Sequence, residues 1–306
     1  MRGYITDPAA DGGLRLAEDL AEPQPADHEL VLDVRAFSVN RGELRLLALR
    51  PDGWRPGQDV AGVVARATAD GSGPPVGTRV VGIVDGAGWS EQVPVPTLHA
   101  APLDDAVSFE QAASLPIAGL TALRALRVAG SILGRRVLIT GATGGVGNLA
   151  VQLAVAGGAH VTAQVSGPDR EEEADDLGAH EVVWDLDHWD PTPFDVAIDG
   201  VGGPVLVAAL HRMRTAGTAV TYGTVGGKAE LSYPDWANAP QSRIIGLSHA
   251  IPQDEKGADL AALAGFVADG RVRPRLGRTA GWEQLHRVLD ALRHRDVRGK
   301  AVLTMS

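Results

Sequence analysis

Residues 136–166 read RVLITGATGGVGNLAVQLAVAGGAHVTAQVS, and this stretch decides the fold. Arg136 to Thr140 is a short apolar, β-branched run, which predicts a strand. Gly141-Ala142-Thr143-Gly144-Gly145-Val146-Gly147 follows as a turn that few side chains could occupy. Val146, Leu149, Ala150, Leu153 and Ala154 then recur at helical spacing, Gly157-Gly158 stops the helix, and His160 to Ser166 is apolar again. Strand, glycine-rich turn, helix and strand in this order form the first βαβ unit of a dinucleotide-binding fold.

The flanking sequence sets the limits. The chain has 306 residues, a length that predicts about two domains. No apolar run approaches the roughly 20 residues of a membrane span, and the N-terminal MRGYITDPAADGG lacks a signal core. A cytoplasmic location with no membrane partner is therefore expected. With no cysteine, disulfides and thiolate metal sites are excluded. A formal charge of −10 argues against nucleic acid as a partner, because phosphate backbones need a basic face.

Before the glycine turn the chain reads as all-β. Glu29–Arg35 alternates like a strand with one wet face; Asp59–Ala65, Gly77–Val84 and Ser90–Val95 are further strands, separated by Pro-Asp-Gly and Asp-Gly-Ser-Gly turns. Short strands at this spacing predict a compact barrel-like domain. Ser108-Phe-Glu-Gln111 fits a capping box, and Pro116 opens the next helix. From Arg136 onward strands and helices alternate, with strands at Glu181–Trp184, Phe194–Ile198, Thr218–Tyr222 and Arg243–Leu247, which predicts a parallel sheet covered on both faces. The section after about residue 250 carries two helices and a last strand, Lys300–Thr304, and is too short to be a domain. The expected organisation is α/β: a doubly wound parallel sheet of the Rossmann type over 116–250, and a discontinuous β-barrel domain over 1–115 and 251–306.

A pyrophosphate needs backbone amides without Cβ atoms in the way. Gly144, Gly145 and Gly147 supply them, and with Thr143 and Val146 they form the expected phosphate site at the start of a helix whose dipole favours an anion. The end of the second strand then chooses the cofactor. An acid there binds the ribose hydroxyls of NAD; this chain has Ala163-Gln-Val-Ser-Gly-Pro-Asp-Arg170. Ser166 can donate to a 2′-phosphate and Arg170 can pair with it, so NADPH is the expected cofactor. Ligands bind outside the carboxyl ends of the strands of such sheets, which adds Val201, Tyr222, Gly223, Thr224, Leu247 and Ser248. Tyr222 is either a proton donor or a tyrosine packed against the sheet.

With these residues in place, the chain resembles the medium-chain dehydrogenase/reductase superfamily, and within it the zinc-free quinone oxidoreductase branch. The resemblance rests on Val39-Asn40-Arg-Gly-Glu43, Pro56-Gly-Gln-Asp-Val-Ala-Gly-Val-Val64, Gly77-Thr-Arg-Val-Val-Gly82, Ala112-Ala-Ser-Leu-Pro-Ile-Ala-Gly-Leu-Thr-Ala122, Ala142-Thr-Gly-Gly-Val-Gly147, Asp199-Gly-Val-Gly-Gly203 and Gly299-Lys-Ala-Val-Leu303. It implies a GroES-like catalytic domain beside the Rossmann domain. It also implies that Asn40 and Thr121 lie beside the nicotinamide. Asn40 then bonds the substrate oxygen or the nicotinamide ribose, or else serves as a turn residue. Thr121 contacts the cofactor or bonds back to its own helical turn. Asn40 stands where a zinc-ligating cysteine would be expected, so no metal is expected.

Without a metal to polarise an alcohol, the implied reaction is hydride transfer from NADPH to a quinone or an α,β-unsaturated carbonyl compound. The alternatives are a tailoring enoyl reductase of a biosynthetic pathway and a protein that binds NADPH without turnover. Arg243-Ile-Ile-Gly-Leu-Ser248 would leave an open apolar sheet edge. The resemblance implies that this edge pairs across a two-fold axis, giving a homodimer. Leu44, Leu47, Trp54, Trp89 and Trp236 are candidates for the substrate wall, or for core packing.

Overall fold

The computed structural model describes residues 1–189, 192–248 and 256–305. The chain forms two compact units, Met1–Leu120 with Pro252–Ser306, and Thr121–Ile251. The sequence reading draws its first boundary at residue 115; the units divide five residues later, inside a helix.

The first unit begins with an antiparallel pair, β1 (Gly3–Thr6) and β2 (Leu14–Ala17). β3 (Glu29–Val39) runs straight into α1 (Arg41–Leu49), so Asn40 is a helix N-cap and not a loop residue. Glu43 accepts the Asn40 backbone N–H at 2.7 Å, the reciprocal half of a capping box. Next come β4 (Asp59–Arg66), β5 (Arg79–Ile83), β6 (Gln92–Pro96) and β7 (Ala100–Pro102). α2 (Phe109–Ala113) opens on the expected box, with Ser108 Oγ accepting from Gln111 N at 3.2 Å and Gln111 Oε1 accepting from Ser108 N at 3.0 Å. α3 (Pro116–Ala129) starts at its proline.

The second unit is built on β8 (Arg136–Thr140), α4 (Gly147–Ala156), β9 (His160–Gln164), α5 (Glu171–Asp175), β10 (Glu181–Val183), β11 (Phe194–Asp199), α6 (Gly203–His211), β12 (Met213–Thr221), α7 (Tyr233–Asn238) and β13 (Arg243–Gly246). The sheet order is β10-β9-β8-β11-β12-β13 and every pairing is parallel. The order reverses between β8 and β11, which is the switch point of a doubly wound sheet. The central strands are dry: Val137, Leu138, Ile139, Ala197 and Ile198 are fully buried, as strands covered on both faces require. β12 is irregular at its start. Its register against β11 jumps from Met213 to Thr218, and Ala216 takes a left-handed φ of 60°.

The chain then returns to the first unit with α8 (Lys256–Ala268), β14 (Leu276–Gly281), α9 (Leu285–Arg293) and β15 (Lys300–Thr304). The expected barrel takes the form of a mixed seven-stranded sheet, β14-β15-β3-β4-β5-β7, with β6 also on β3. β3 is the hub because it is long enough for two partners on one edge. Its first half pairs with β6 and its last four residues pair with β15. The core behind it holds Phe37 stacked on Trp89 with ring centroids 6.0 Å apart, and Tyr4 edge-on to Trp282 at 5.8 Å. Trp89 is therefore a core residue and not a substrate wall, and Leu44 and Leu47 pack against the same cluster.

Candidate active site

In the second unit, the glycine turn is a prepared anion cradle. The Gly144 N–H is used within the turn, donating to Gly141 O at 2.9 Å. The N–H groups of Gly145, Val146 and Gly147 reach no acceptor among the described residues, and they sit at the N-terminus of α4. Three adjacent free amides at a helix start are the donor set a phosphate requires. The turn is braced from behind by two buried amides. Asn148 Nδ2 donates to Gly144 O and Gly145 O, both at 2.8 Å. Gln164 Oε1 accepts from Gly141 N at 3.1 Å. A Cβ on Gly147 would lie 2.2 Å from Gly141 O, so no other residue fits the first helical position.

Arg170, in the short turn after β9, donates from Nη1 to Thr143 Oγ1 at 3.3 Å. The guanidinium thus stands at the lip of the cradle, while Ser166 is exposed close by in sequence. Val201 approaches from the other side: a Cβ on Gly141 would lie 3.1 Å from its Cγ2.

The loops after β11 and β12 are locked together by one carboxylate. Asp199 is fully buried and accepts from Thr140 Oγ1 at 2.6 Å, Thr221 Oγ1 at 2.8 Å, Gly202 N at 3.0 Å and Val201 N at 3.2 Å. It therefore ties the ends of β8, β11 and β12 with neutral donors. Gly226 N donates to Val201 O at 2.7 Å, and a Cβ on Gly223 would fall 2.0 Å from Gly200 O. Val201, Gly223 and Thr224 are thereby gathered beside one another. Tyr222 lies just beyond the strand, its hydroxyl where a Cβ on Gly200 would be 2.5 Å away. Burial pushes its phenol well above the usual range, and the Asp199 charge adds to this. Such a phenol holds its proton at neutral pH. Leu247 and Ser248 follow β13, with Leu247 N on Thr221 O at 2.8 Å.

In the first unit, Asn40 caps a buried charge cluster. Asp59, fully buried, accepts from Ser38 Oγ at 2.6 Å, Asn40 Nδ2 at 2.7 Å, the Ile117 N–H at the start of α3 at 2.9 Å and Lys300 Nζ at 3.2 Å. Lys300 is 2% exposed and also donates to Asn40 Oδ1 at 2.5 Å. Glu43, fully buried, accepts from the backbone of Asn40 with one oxygen and from Gln58 N at 3.1 Å with the other. Burial, reinforced by the Asp59 charge, pushes the Glu43 carboxyl up to about 8. Asn40 is the member with appreciable exposure, so the cluster meets its surroundings at that side chain.

Sequence reasoning named Asn40 but missed Glu43, Asp59 and Lys300, although all three stand in stretches that carried the resemblance. It also missed Asn148 and Gln164, whose side chains turn inward to brace the glycine turn. The signal was a polar residue inside an otherwise apolar helix or strand. Thr121 lies in α3, in the second unit. A pocket of about 380 Å³ in the first unit, lined partly by Arg2, Asp33, Glu91 and Trp282, shares no residue with these sites. Its Arg2 is already matched by Glu91 at 2.7 Å.

Comparison with known proteins follows the same lines. Residues 176–303 match a family of zinc-binding dehydrogenases. A highly reducing polyketide synthase of Arthrinium phaeospermum is 30% identical over 95% of this chain, which spans 13% of that protein's length. The quinone oxidoreductase of Pongo abelii is 29% identical over 86% of this chain and 85% of its own. A mycobacterial protein solved in complex with NADPH superposes with a TM-score of 0.87 at 26% identity, covering 99% of this chain and 100% of that one. The doubly wound parallel sheet and the glycine cradle at its switch point are those of a dinucleotide-binding fold. The chain is similar to the medium-chain dehydrogenase/reductase superfamily, with quinone-oxidoreductase-like relatives.

The zinc of that family name does not fit the residues here. Zinc sites draw on thiolates, imidazoles and carboxylates. Among the described residues no group of three or more such side chains is placed to hold an ion. At the Asn40 cluster the positive charge is an ammonium; Asp59 is already committed to it and to hydroxyl and amide donors, and Glu43 to the backbone amides of Asn40 and Gln58.

Proposed function

We propose that this chain is an NADPH-dependent oxidoreductase that reduces a quinone or an α,β-unsaturated carbonyl compound without a metal. The observation that carries this reading is the cradle of three free amides with Arg170 at its lip. The amides of Gly145, Val146 and Gly147 would take the pyrophosphate, and Arg170 with Ser166 the 2′-phosphate. Val201, Tyr222, Gly223, Thr224, Leu247 and Ser248 would border the nicotinamide half, with Thr121 and Asn40 assigned there by the resemblance. The cofactor, when bound, would supply the hydride, and solvent the proton, for a hydroquinone or saturated ketone product. The chain's own share is orientation and charge: rigid loops fix the cofactor, and the Tyr222 phenol stays protonated.

The test is NADPH oxidation by the purified protein with 9,10-phenanthrenequinone and a panel of enones. Turnover with quinones supports the reading. Turnover confined to alkenes favours a tailoring enoyl reductase, a second reading supported by the 30% identity to the polyketide synthase over 95% of the chain. Tight NADPH binding with no oxidation by any acceptor would leave a binding protein. We further propose a homodimer through β13, whose Arg243 and Gly246 are exposed at the sheet edge. A monomeric mass at micromolar concentration would overturn that assembly.

A further inference from the structure

Asn148 is fully buried in α4, a helix whose other residues are apolar except for Gln152. Asparagine is a poor helix former, and a buried amide is tolerated where its hydrogen bonds are met. Here they are met by the turn that precedes the helix. The Asn148 backbone N–H makes the ordinary helical bond to Gly144 O at 3.0 Å, and Nδ2 adds a second donor to the same oxygen at 2.8 Å. The other hydrogen of Nδ2 goes to Gly145 O, also at 2.8 Å. That carbonyl receives no backbone donor among the described residues, because the Leu149 N–H, which would be its helical partner, donates to Val146 O at 3.1 Å. The Asn148 side chain stands in for the missing bond.

We propose that Asn148 is the positioning residue of the cradle, turning two peptide planes so that their N–H groups face the pyrophosphate. This rests on the reading of the glycine turn as the cofactor's phosphate site. In a trans peptide the C=O and the N–H that follows it point in opposite directions. Holding Gly144 O and Gly145 O toward Asn148 therefore aims the N–H groups of Gly145 and Val146 away from it, and these are two of the three free amides of the cradle. Glycine lets a peptide plane rotate at little cost, and both planes contain glycine. With the side-chain amide removed, Gly145 O turns toward another donor and takes the Val146 N–H out of line. The third amide, that of Gly147, is set separately by the close approach of its residue to Gly141 O and Ala142.

The experiment compares the wild-type protein with Asn148→Leu, which keeps a similar size and removes both hydrogens. Calorimetric titrations use two probes: NADPH, which carries the pyrophosphate, and 2′-AMP, which carries only the phosphate assigned to Arg170 and Ser166. The expected result is a rise of about tenfold or more in the NADPH dissociation constant, in line with the loss of aligned hydrogen bonds to a charged group, with that of 2′-AMP unchanged. In steady-state kinetics the KM for NADPH rises in the same proportion, and kcat at saturating NADPH is retained. Unchanged NADPH affinity overturns the proposal. So does equal weakening of both probes, which marks Asn148 as packing support for the whole site. Asn148→Ser serves where the leucine variant does not fold. Its hydroxyl hydrogen reaches one carbonyl of the preceding turn, so a smaller rise is expected, again for NADPH alone, and no rise overturns the proposal. Wild-type protein that binds no NADPH refutes the cofactor reading and this proposal with it, so the two failures are told apart by which protein fails to bind.

Discussion

Lys300→Met tests whether the buried ammonium holds the first unit together. Lys300 and Asp59 are 2% and 0% exposed at their side chains and 3.2 Å apart. Removing the ammonium leaves Asp59 with the Ser38, Asn40 and Ile117 donors but no opposite charge. Breaking a buried pair from one side costs roughly 3–5 kcal/mol, because the remaining charge is stranded. For a unit of this size that is a fall in Tm on the order of 10 °C. The assay is thermal unfolding followed by tryptophan fluorescence, with Trp89 and Trp282 as buried reporters in the same unit. Asp59→Asn alone should also destabilise, since it strands the ammonium. The double variant should lose less than the sum of the two, by on the order of 2 kcal/mol, because neither charge is then left unpaired. Strict additivity in this cycle would show that the two groups do not compensate each other and would refute the reasoning.

Further outcomes follow from the same geometry. The folded chain keeps a proton on Glu43 up to about pH 8, while an unfolded glutamate releases it near its ordinary value. Stability should therefore fall as pH rises between those two values, by on the order of 3–5 kcal/mol in all. Glu43→Gln should remove that slope, and parallel Tm-versus-pH curves for the two proteins would contradict the assignment. Arg170→Ala should raise the Michaelis constant for NADPH by roughly tenfold or more and leave that for NADH nearly unchanged, since only the former carries the 2′-phosphate; equal changes would sink the cofactor choice. Gly147→Ala forces a Cβ to 2.2 Å from Gly141 O and should abolish NADPH binding in a fluorescence titration while the first unit stays folded. Exhaustive treatment with a chelator should leave kcat unaltered, and loss of activity restored by zinc would overturn the metal-free reading.

The nucleotide-binding half of the fold was largely legible. β8 coincides with the expected Arg136–Thr140 strand, and α4 begins one residue after Val146. This follows from glycine chemistry, which constrains backbone shape locally and so leaves a clear mark in sequence. What escaped detection depends on pairing over distance. β14, Leu-Gly-Arg-Thr-Ala-Gly, has two glycines and an exposed centre, and is a strand because β15 lies beside it. α1 was hidden because an asparagine before a short polar stretch also reads as a turn, until Glu43 is seen to close the cap. The site divides in the same way. The cradle amides were readable from spacing. The Glu43–Asp59–Lys300 cluster joins residues separated by up to 257 positions, which sequence spacing alone does not bring together.

The ammonium at the heart of that cluster has a consequence for how the protein is made and maintained. Its organising cation is synthesised as part of the polypeptide. It needs no delivery by a metal chaperone, cannot be exchanged for a competing ion, and is untouched by metal starvation. With no thiol in the chain, oxidants have no cysteine to attack either. A cluster built this way is complete as soon as the chain has folded, and it stays so whatever ions surround it.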